Sequence, residues 1–135
     1  MPTEPKTRPT GASVADFIAA VPDARRRADA ERALALLSEV SGEPAVMWGP
    51  SIVGFGSYRG PTGDWPVIGF SPRKAETVLY ILPGFDERAD LMERLGWPRT
   101  GVSCLYLKRL DGVDQDALRE LAEWSVAQMR TRYPA

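Results

Sequence analysis

The amino-acid sequence predicts an α+β fold in which helices pack on a mixed or antiparallel sheet of about five strands. Two observations lead to this fold class. Apolar residues recur at helical spacing near both ends of the chain, whereas residues 44–83 contain short β-branched and aromatic runs separated by glycine and proline. Short turns between successive strands favour antiparallel pairing and leave one sheet face for the helices. The predicted order is α-α-β-β-β-β-α-β-α.

The first two predicted helices begin after residues whose side chains commonly cap helix N-termini. Ser13 precedes a short helix to about residue 20. Asp23 precedes a longer helix to about Ser41, where Gly42 provides a C-terminal stop.

Three consecutive arginines, residues 25–27, lie in the first turn of the longer helix. Taken alone, they would indicate a nucleic-acid-binding patch, but Asp29 and Glu31 follow them in the same helix. We interpret the stretch as a solvated helix face of mixed charge, because acidic residues follow the arginines within the next helical turns.

The middle of the chain contains four predicted strands, at residues 45–48, 52–58, 65–71 and 77–82. Residues 60–64, Gly-Pro-Thr-Gly-Asp, form a turn cluster that should join two of these strands as a hairpin.

The last third of the sequence predicts two helices on either side of one strand. Asp86 is expected to cap a helix to residue 95 that ends at Gly96. The strand covers residues 102–108, and Asp114 is expected to cap the final helix, which runs to about residue 132.

Size and charge limit the classes of protein to consider. With 135 residues, we expect a disordered N-terminal tail, residues 1–12, and one domain, residues 13–135. A net charge of −1 argues against nucleic acid as a partner. The sequence has no apolar run of about 18 residues and no apolar leader, and its single cysteine cannot form an internal disulfide. We therefore expect a cytoplasmic protein without a membrane partner, and the oligomeric state is left open.

Residue types exclude several chemistries. The sequence contains no histidine and one cysteine, so histidine-dependent nucleophiles and zinc or iron–sulfur ligand sets cannot be assembled. No phosphate loop or dinucleotide fingerprint is present, and no cofactor or metal site is expected. Cys104 is expected to be a small buried core residue, with a reactive thiol as the alternative.

Glycines within the predicted strands indicate a candidate site. Gly54 and Gly56 should point to one face of their strand, and Gly69 lies in the following strand. Strand glycines mark a bulge or a close approach by another group. Either a helix packs tightly over this bare backbone, or the glycines mark a bulge, or they form the floor of a shallow groove with Trp48 as its wall.

Six polar or aromatic residues lie at neighbouring strand ends and in the last predicted strand. If they converge, they form a small basic pocket suited to an anionic or polar molecule. The predicted ligand-binding residues are Trp48, Ser51, Arg73, Lys74, Tyr106 and Lys108.

Four segments resemble the bacterial YdhG-like family, also described as domain of unknown function 1801. They are MWGPSIVGFGS (47–57), WPVIGFSPRK (65–74), LYILPGF (79–85) and SCLYLKRL (103–110). The resemblance extends from about Ser13 to Tyr133 and implies a compact α+β domain. Val102 departs from the family pattern, which we expect to read Gly-Lys-Ser-Cys. Some relatives are described as frataxin-like iron chaperones, so the resemblance also implies an iron-handling alternative.

Three functions follow as expectations. The first is a non-enzymatic binding module for a small polar or anionic ligand or a peptide. The second is a frataxin-like iron-handling protein, whose carboxylates would be Asp86, Glu87, Asp90 and Glu93. The third is an enzyme that depends on Lys74 or Lys108, two of the three lysines in a chain that otherwise uses arginine.

Overall fold

A computed structural model describes residues 9–61 and 63–134. The four helices are α1 (Val14–Ala19), α2 (Ala24–Ser41), α3 (Ala89–Arg94) and α4 (Gln115–Arg132). The strands are β1 (Ala45–Trp48), β2 (Ile52–Phe55), β3 (Tyr58–Gly60), β4 (Gly63–Trp65), β5 (Ile68–Pro72), β6 (Thr77–Tyr80) and β7 (Cys104–Leu107).

Five strands form one antiparallel sheet in the order β1-β2-β5-β6-β7. The remaining two, β3 and β4, form a separate hairpin in which Tyr58 pairs with Trp65 and Gly60 with Gly63. The α+β class is confirmed, and so is the predicted order of elements. Within the predicted hairpin turn, Thr62 lies outside the described residues.

The two faces of the sheet have different surroundings. Alternate strand residues on the inner face join the buried core together with the helices, and Phe55 and Phe70 stack there with ring centroids 6.4 Å apart. The opposite face, called the outer face below, lies away from this core. Strand register and alternation place on it Val46, Trp48, Ile52, Gly54, Gly69, Ser71, Val78, Tyr80, Cys104 and Tyr106.

Three predicted helix caps are confirmed. The Ser13 hydroxyl accepts a hydrogen bond from the backbone N–H of Asp16, Asp23 caps α2, and Asp114 caps α4. Gly42 ends α2 with φ of 68°, in the left-handed region that glycine adopts readily. The expected cap at Asp86 is wrong, because residues Asp86–Arg88 form a 3₁₀ turn and α3 begins only at Ala89.

The first predicted strand, residues 45–48, is confirmed as β1, whereas the other predicted strands are too long. Residues 52–58 divide into β2 and β3 because Gly56 has φ of 68° and turns the chain, so Gly56 does not share a strand face with Gly54. Residues 65–71 divide between β4 and β5 at Pro66, whose missing N–H is unsuited to a ladder. The last two strands end earlier or start later than expected, at Tyr80 and Cys104.

The solvated interpretation of the helix face in α2 is also wrong at two positions. Arg26 and Asp29 are buried and lie one helical turn apart, with Nη2 of Arg26 and Oδ2 of Asp29 separated by 3.5 Å. Arg26 donates a hydrogen bond to the carbonyl of Lys108, and Asp29 accepts one from the N–H of Leu110. The pair therefore joins α2 to the segment after β7.

Short segments lie along both edges of the sheet. Residues 1–8 of the predicted disordered tail lie outside the described residues, but Pro9 forms a β-bridge with Trp48 and the N–H of Thr10 donates to Met47 at 2.8 Å. At the other edge, Thr100 bridges Leu105. In the described part of the chain, no helix has the length and apolarity needed to cross a bilayer.

Candidate functional site

The glycine floor of the outer face is occupied by a side chain of the protein itself. Gly54 and Gly69 are paired in adjacent strands. A Cβ atom at Gly54 would lie 2.6 Å from Nε1 of Trp48 and 2.7 Å from Cβ of Pro66, closer than real Cβ contacts. Trp48 is only 2% exposed. Gly54 therefore accommodates the indole ring, and Trp48 packs on the sheet instead of forming the wall of an open groove.

Ser51 stabilises the sheet through its backbone carbonyl group. Its carbonyl oxygen, in the turn between β1 and β2, accepts a hydrogen bond of 2.7 Å from the buried hydroxyl of Ser71. This bond satisfies a polar group within the sheet.

Two arginines contact tyrosine side chains of the outer face. Nη2 of Arg73 donates to the hydroxyl of Tyr80 at 3.2 Å. The guanidinium carbon of Arg99 lies 4.0 Å from the centroid of the Tyr106 ring, a cation–π geometry, and the same arginine pairs with Glu76. The Arg99 charge is therefore neutralised by a carboxylate, while the Arg73 interaction is with a neutral group.

Cys104 lies beside Tyr106 on the outer face. Its partial exposure corrects the expectation of a core thiol, because strand alternation turns Leu105, and not Cys104, towards the helices. The interaction with Cys104 raises the pKa of the Tyr106 hydroxyl, against the opposing effect of Arg99 and Arg73.

The basic residues Arg73 and Lys74 line a cavity of about 620 Å³. It lies between the α1–α2 connection and the turn that joins β5 to β6, and we call it the turn cavity. Its remaining lining is mostly apolar and consists of Phe17, Ala20, Val21, Pro22, Asp23, Arg26 and Pro72. The lining includes three cationic side chains and one carboxylate.

The charges around the turn cavity are not equally available to a ligand. The Asp23 carboxylate caps α2, and its hydrogen bonds from the backbone N–H groups of Arg26 and Arg25 lower its pKa. It therefore stays ionised and remains bonded to the helix N-terminus. Arg26 pairs with Asp29, although its buried Nη1 has no acceptor among the described residues. Arg73 and Lys74 are exposed and have no ion-pair partner within residues 9–61 and 63–134.

Tyr106 and Lys108 line a different cavity of about 390 Å³, together with Glu76 and Arg99. The six residues predicted to form one pocket are thus divided: two line the turn cavity, two line this second cavity, and Trp48 and Ser51 line neither. Strand-end placement in the sequence could not show this division, because it depends on which side of the sheet each turn faces.

Part of the turn cavity is not predicted from the sequence. In the sequence, Phe17, Val21 and Pro22 are only parts of the first helix and its end, although in the structure they supply apolar lining of this cavity. The available signal was the Val-Pro-Asp break between two helices, which exposes apolar side chains at a helix junction.

The carboxylates named for iron handling do not converge. Asp90 pairs with Arg88, which lowers the Asp90 pKa, and Arg88 also pairs with Glu120. Within the described ranges, no group of three or more potential metal-ligating side chains comes together.

Comparisons with known proteins give no further identification: no family model matches the chain, and no curated protein or solved structure matches it significantly.

Proposed function

We propose that this domain binds a small organic anion in the turn cavity, with the acidic group of the ligand held by Arg73 and Lys74. The observation that carries the proposal is the charge arrangement. Two exposed cations that have no carboxylate partner among the described residues lie at the rim, while the one carboxylate of the lining is engaged by the helix N-terminus. An anion would supply the missing counter-charge through charge-assisted hydrogen bonds.

The walls of the cavity restrict the kind of anion. Phe17, Val21 and Pro22 offer apolar surface, so the ligand gains most if an apolar group accompanies its charge. A volume of about 620 Å³ falls within the range of small-molecule sites. These features favour a small amphiphilic acid over an inorganic ion or a long peptide.

A binding role accounts for the two rim cations without any catalytic group. Lys74 and Lys108 line separate cavities, so the enzyme alternative would have to rely on one lysine alone. Neither that alternative nor iron handling has a specific structural observation in its favour.

Hexanesulfonate and its neutral counterpart 1-hexanol provide a direct test by titration calorimetry. We expect hexanesulfonate to bind more tightly, because only the sulfonate can pair with the rim cations. Lys74→Ala should weaken its binding by about 1 kcal/mol, less than the roughly 1.5–3 kcal/mol of a charged hydrogen bond, because the lysine is exposed. Melting temperature should change little.

Lys108→Ala is the matched control, because it removes the same charge from the second cavity. Equal losses for the two variants would show that only net charge matters, and equal binding of sulfonate and alcohol would contradict the proposed anion site.

A further inference from the structure

A third cavity, of about 780 Å³, lies on another part of the molecule. It is formed by the segment after β6, the segment between α3 and β7, and one side of α4. We call it the aromatic groove. Its lining includes three aromatic rings, one thioether and two carboxylates: Phe85, Trp97, Trp124, Met92, Asp86 and Glu87.

The backbone holds Trp97 at the surface in a fixed position. Gly96, with φ of 80°, leaves α3 and donates to the carbonyl of Glu93 at 3.0 Å. The N–H of Trp97 donates to the carbonyl of Met92 at 2.9 Å, which completes a Schellman motif. Trp97 itself has φ of 51°, a conformation that is uncommon outside glycine and costs free energy.

The fold thus maintains a strained residue whose side chain gains little from folding. Trp97 is 62% exposed, and Val102, on the same groove, is 90% exposed. Large apolar side chains exposed together commonly mark a binding surface. A binding role for the indole ring would explain both the strained backbone of Trp97 and the exposure of its side chain.

The charges of the groove indicate the sign of that ligand. Asp86 and Glu87 have no ion-pair partner in the described part of the chain, because the nearby Arg88 pairs with Asp90 and Glu120. Arg132 is the one basic residue of the lining, so the carboxylates outnumber it. Trp124 already lies 6.0 Å from the Arg88 guanidinium, at the limit of a cation–π contact.

We propose that the aromatic groove binds a small organic cation that carries an alkylated ammonium group. Aromatic faces attract such a cation through their negative electrostatic potential, and its alkyl groups contact the same rings. The carboxylates of Asp86 and Glu87 at the rim add attraction over a longer range. This site is separate from the turn cavity, and its ligand has the opposite charge.

Asp86 and Glu87 would repel an anionic ligand, and Arg132 is the one basic residue of the lining that would attract it. A purely apolar ligand would use the rings but leave the carboxylates without a role. The cation is the ligand class that uses both features, and each of the other two becomes an outcome of the test.

Titration calorimetry of the full chain with choline and with 3,3-dimethyl-1-butanol tests the proposal. The two probes have similar shapes, but only choline is charged. We expect saturable choline binding with a dissociation constant on the order of 1 mM or tighter, and at least about tenfold weaker binding of the alcohol. Trp97→Ala should reduce choline affinity about tenfold or more, while Trp97→Phe should retain much of it.

Val102→Lys and Val102→Gln form a matched pair that does not depend on the aromatic ring. Both replace a side chain that is 90% exposed, so both should fold. The lysine should weaken choline binding several-fold more than glutamine does. The proposal is overturned if choline shows no saturable binding, if the alcohol binds equally well, or if the two Val102 variants behave alike. Each result can be obtained without reference to anion binding in the turn cavity.

Discussion

At the scale of single residues, the sequence indicated where the sheet is approached closely but not by what. Gly54 and Gly69 were correctly placed within strands, and glycine within a strand is a known sign of close approach. At Gly54 the approaching groups are Trp48, which lies in the neighbouring strand β1, and Pro66. At Gly69 the approaching group is the backbone, since a Cβ there would lie 2.8 Å from the carbonyl oxygen of Val53. The sequence predicts this tryptophan as a ligand-binding residue, because strand register and the position of Pro66 are not visible from composition.

The contact between Gly54 and Trp48 leads to a prediction about stability. Gly54→Ala should destabilise the fold by about 1–3 kcal/mol, the usual range for overpacking, because the new methyl group would overlap the indole ring and Pro66. Urea unfolding measures the loss. Gly101→Ala is the control, since its Cβ would have an ordinary distance of 3.6 Å to Cβ of Cys104. Equal stability of the two variants would show that Trp48 can move at no cost.

At the scale of secondary-structure elements, local signals predicted helix limits well, and tertiary contacts decided the remainder. The caps at Ser13, Asp23 and Asp114 depend on bonds within one helical turn, so the sequence contains them. The burial of Arg26 and Asp29 depends instead on the segment after β7, which lies about 80 residues further along the chain. A charge pattern alone cannot distinguish such a pair from a solvated one.

The ion pair of α2 can be tested by removing one partner. Asp29→Ala should reduce the free energy of unfolding by about 3 kcal/mol, because it leaves a buried guanidinium without its carboxylate. The double change Arg26→Met with Asp29→Leu should cost less than Asp29→Ala, since no unpaired charge is left.

Glu31→Ala on the same helix is the control, because Glu31 is exposed and should contribute little. A loss at Asp29 no larger than at Glu31, measured by urea unfolding, would mean that the pair is solvated after all.

At the scale of the whole molecule, the sequence predicted the α+β class because strand and helix periodicities occupy separate stretches. The sites could not be predicted with the same success. The turn cavity combines α1, α2 and the β5–β6 turn, and the aromatic groove combines three segments whose proximity exists only after folding. The covering of the two sheet edges also depends on folding. The short segments at residues 9–10 and 99–101 acquire a structural role only where they lie beside β1 and β7.

The segment beside β1 leads to a prediction about the whole fold. A chain that starts at residue 13 should melt below one that starts at residue 9, because it loses the Thr10 hydrogen bond to Met47 and the Pro9 bridge that lies over the edge at Trp48. One or two backbone interactions, each of about 1 kcal/mol, correspond to a decrease of about 3–8 °C in a domain of this size. Uncovering an edge strand should also increase self-association, which light scattering would detect. Equal melting temperatures and equal scattering for the two chains would mean that residues 9–12 contribute nothing to the sheet, and that the stability of this domain resides entirely in the elements from α1 onward.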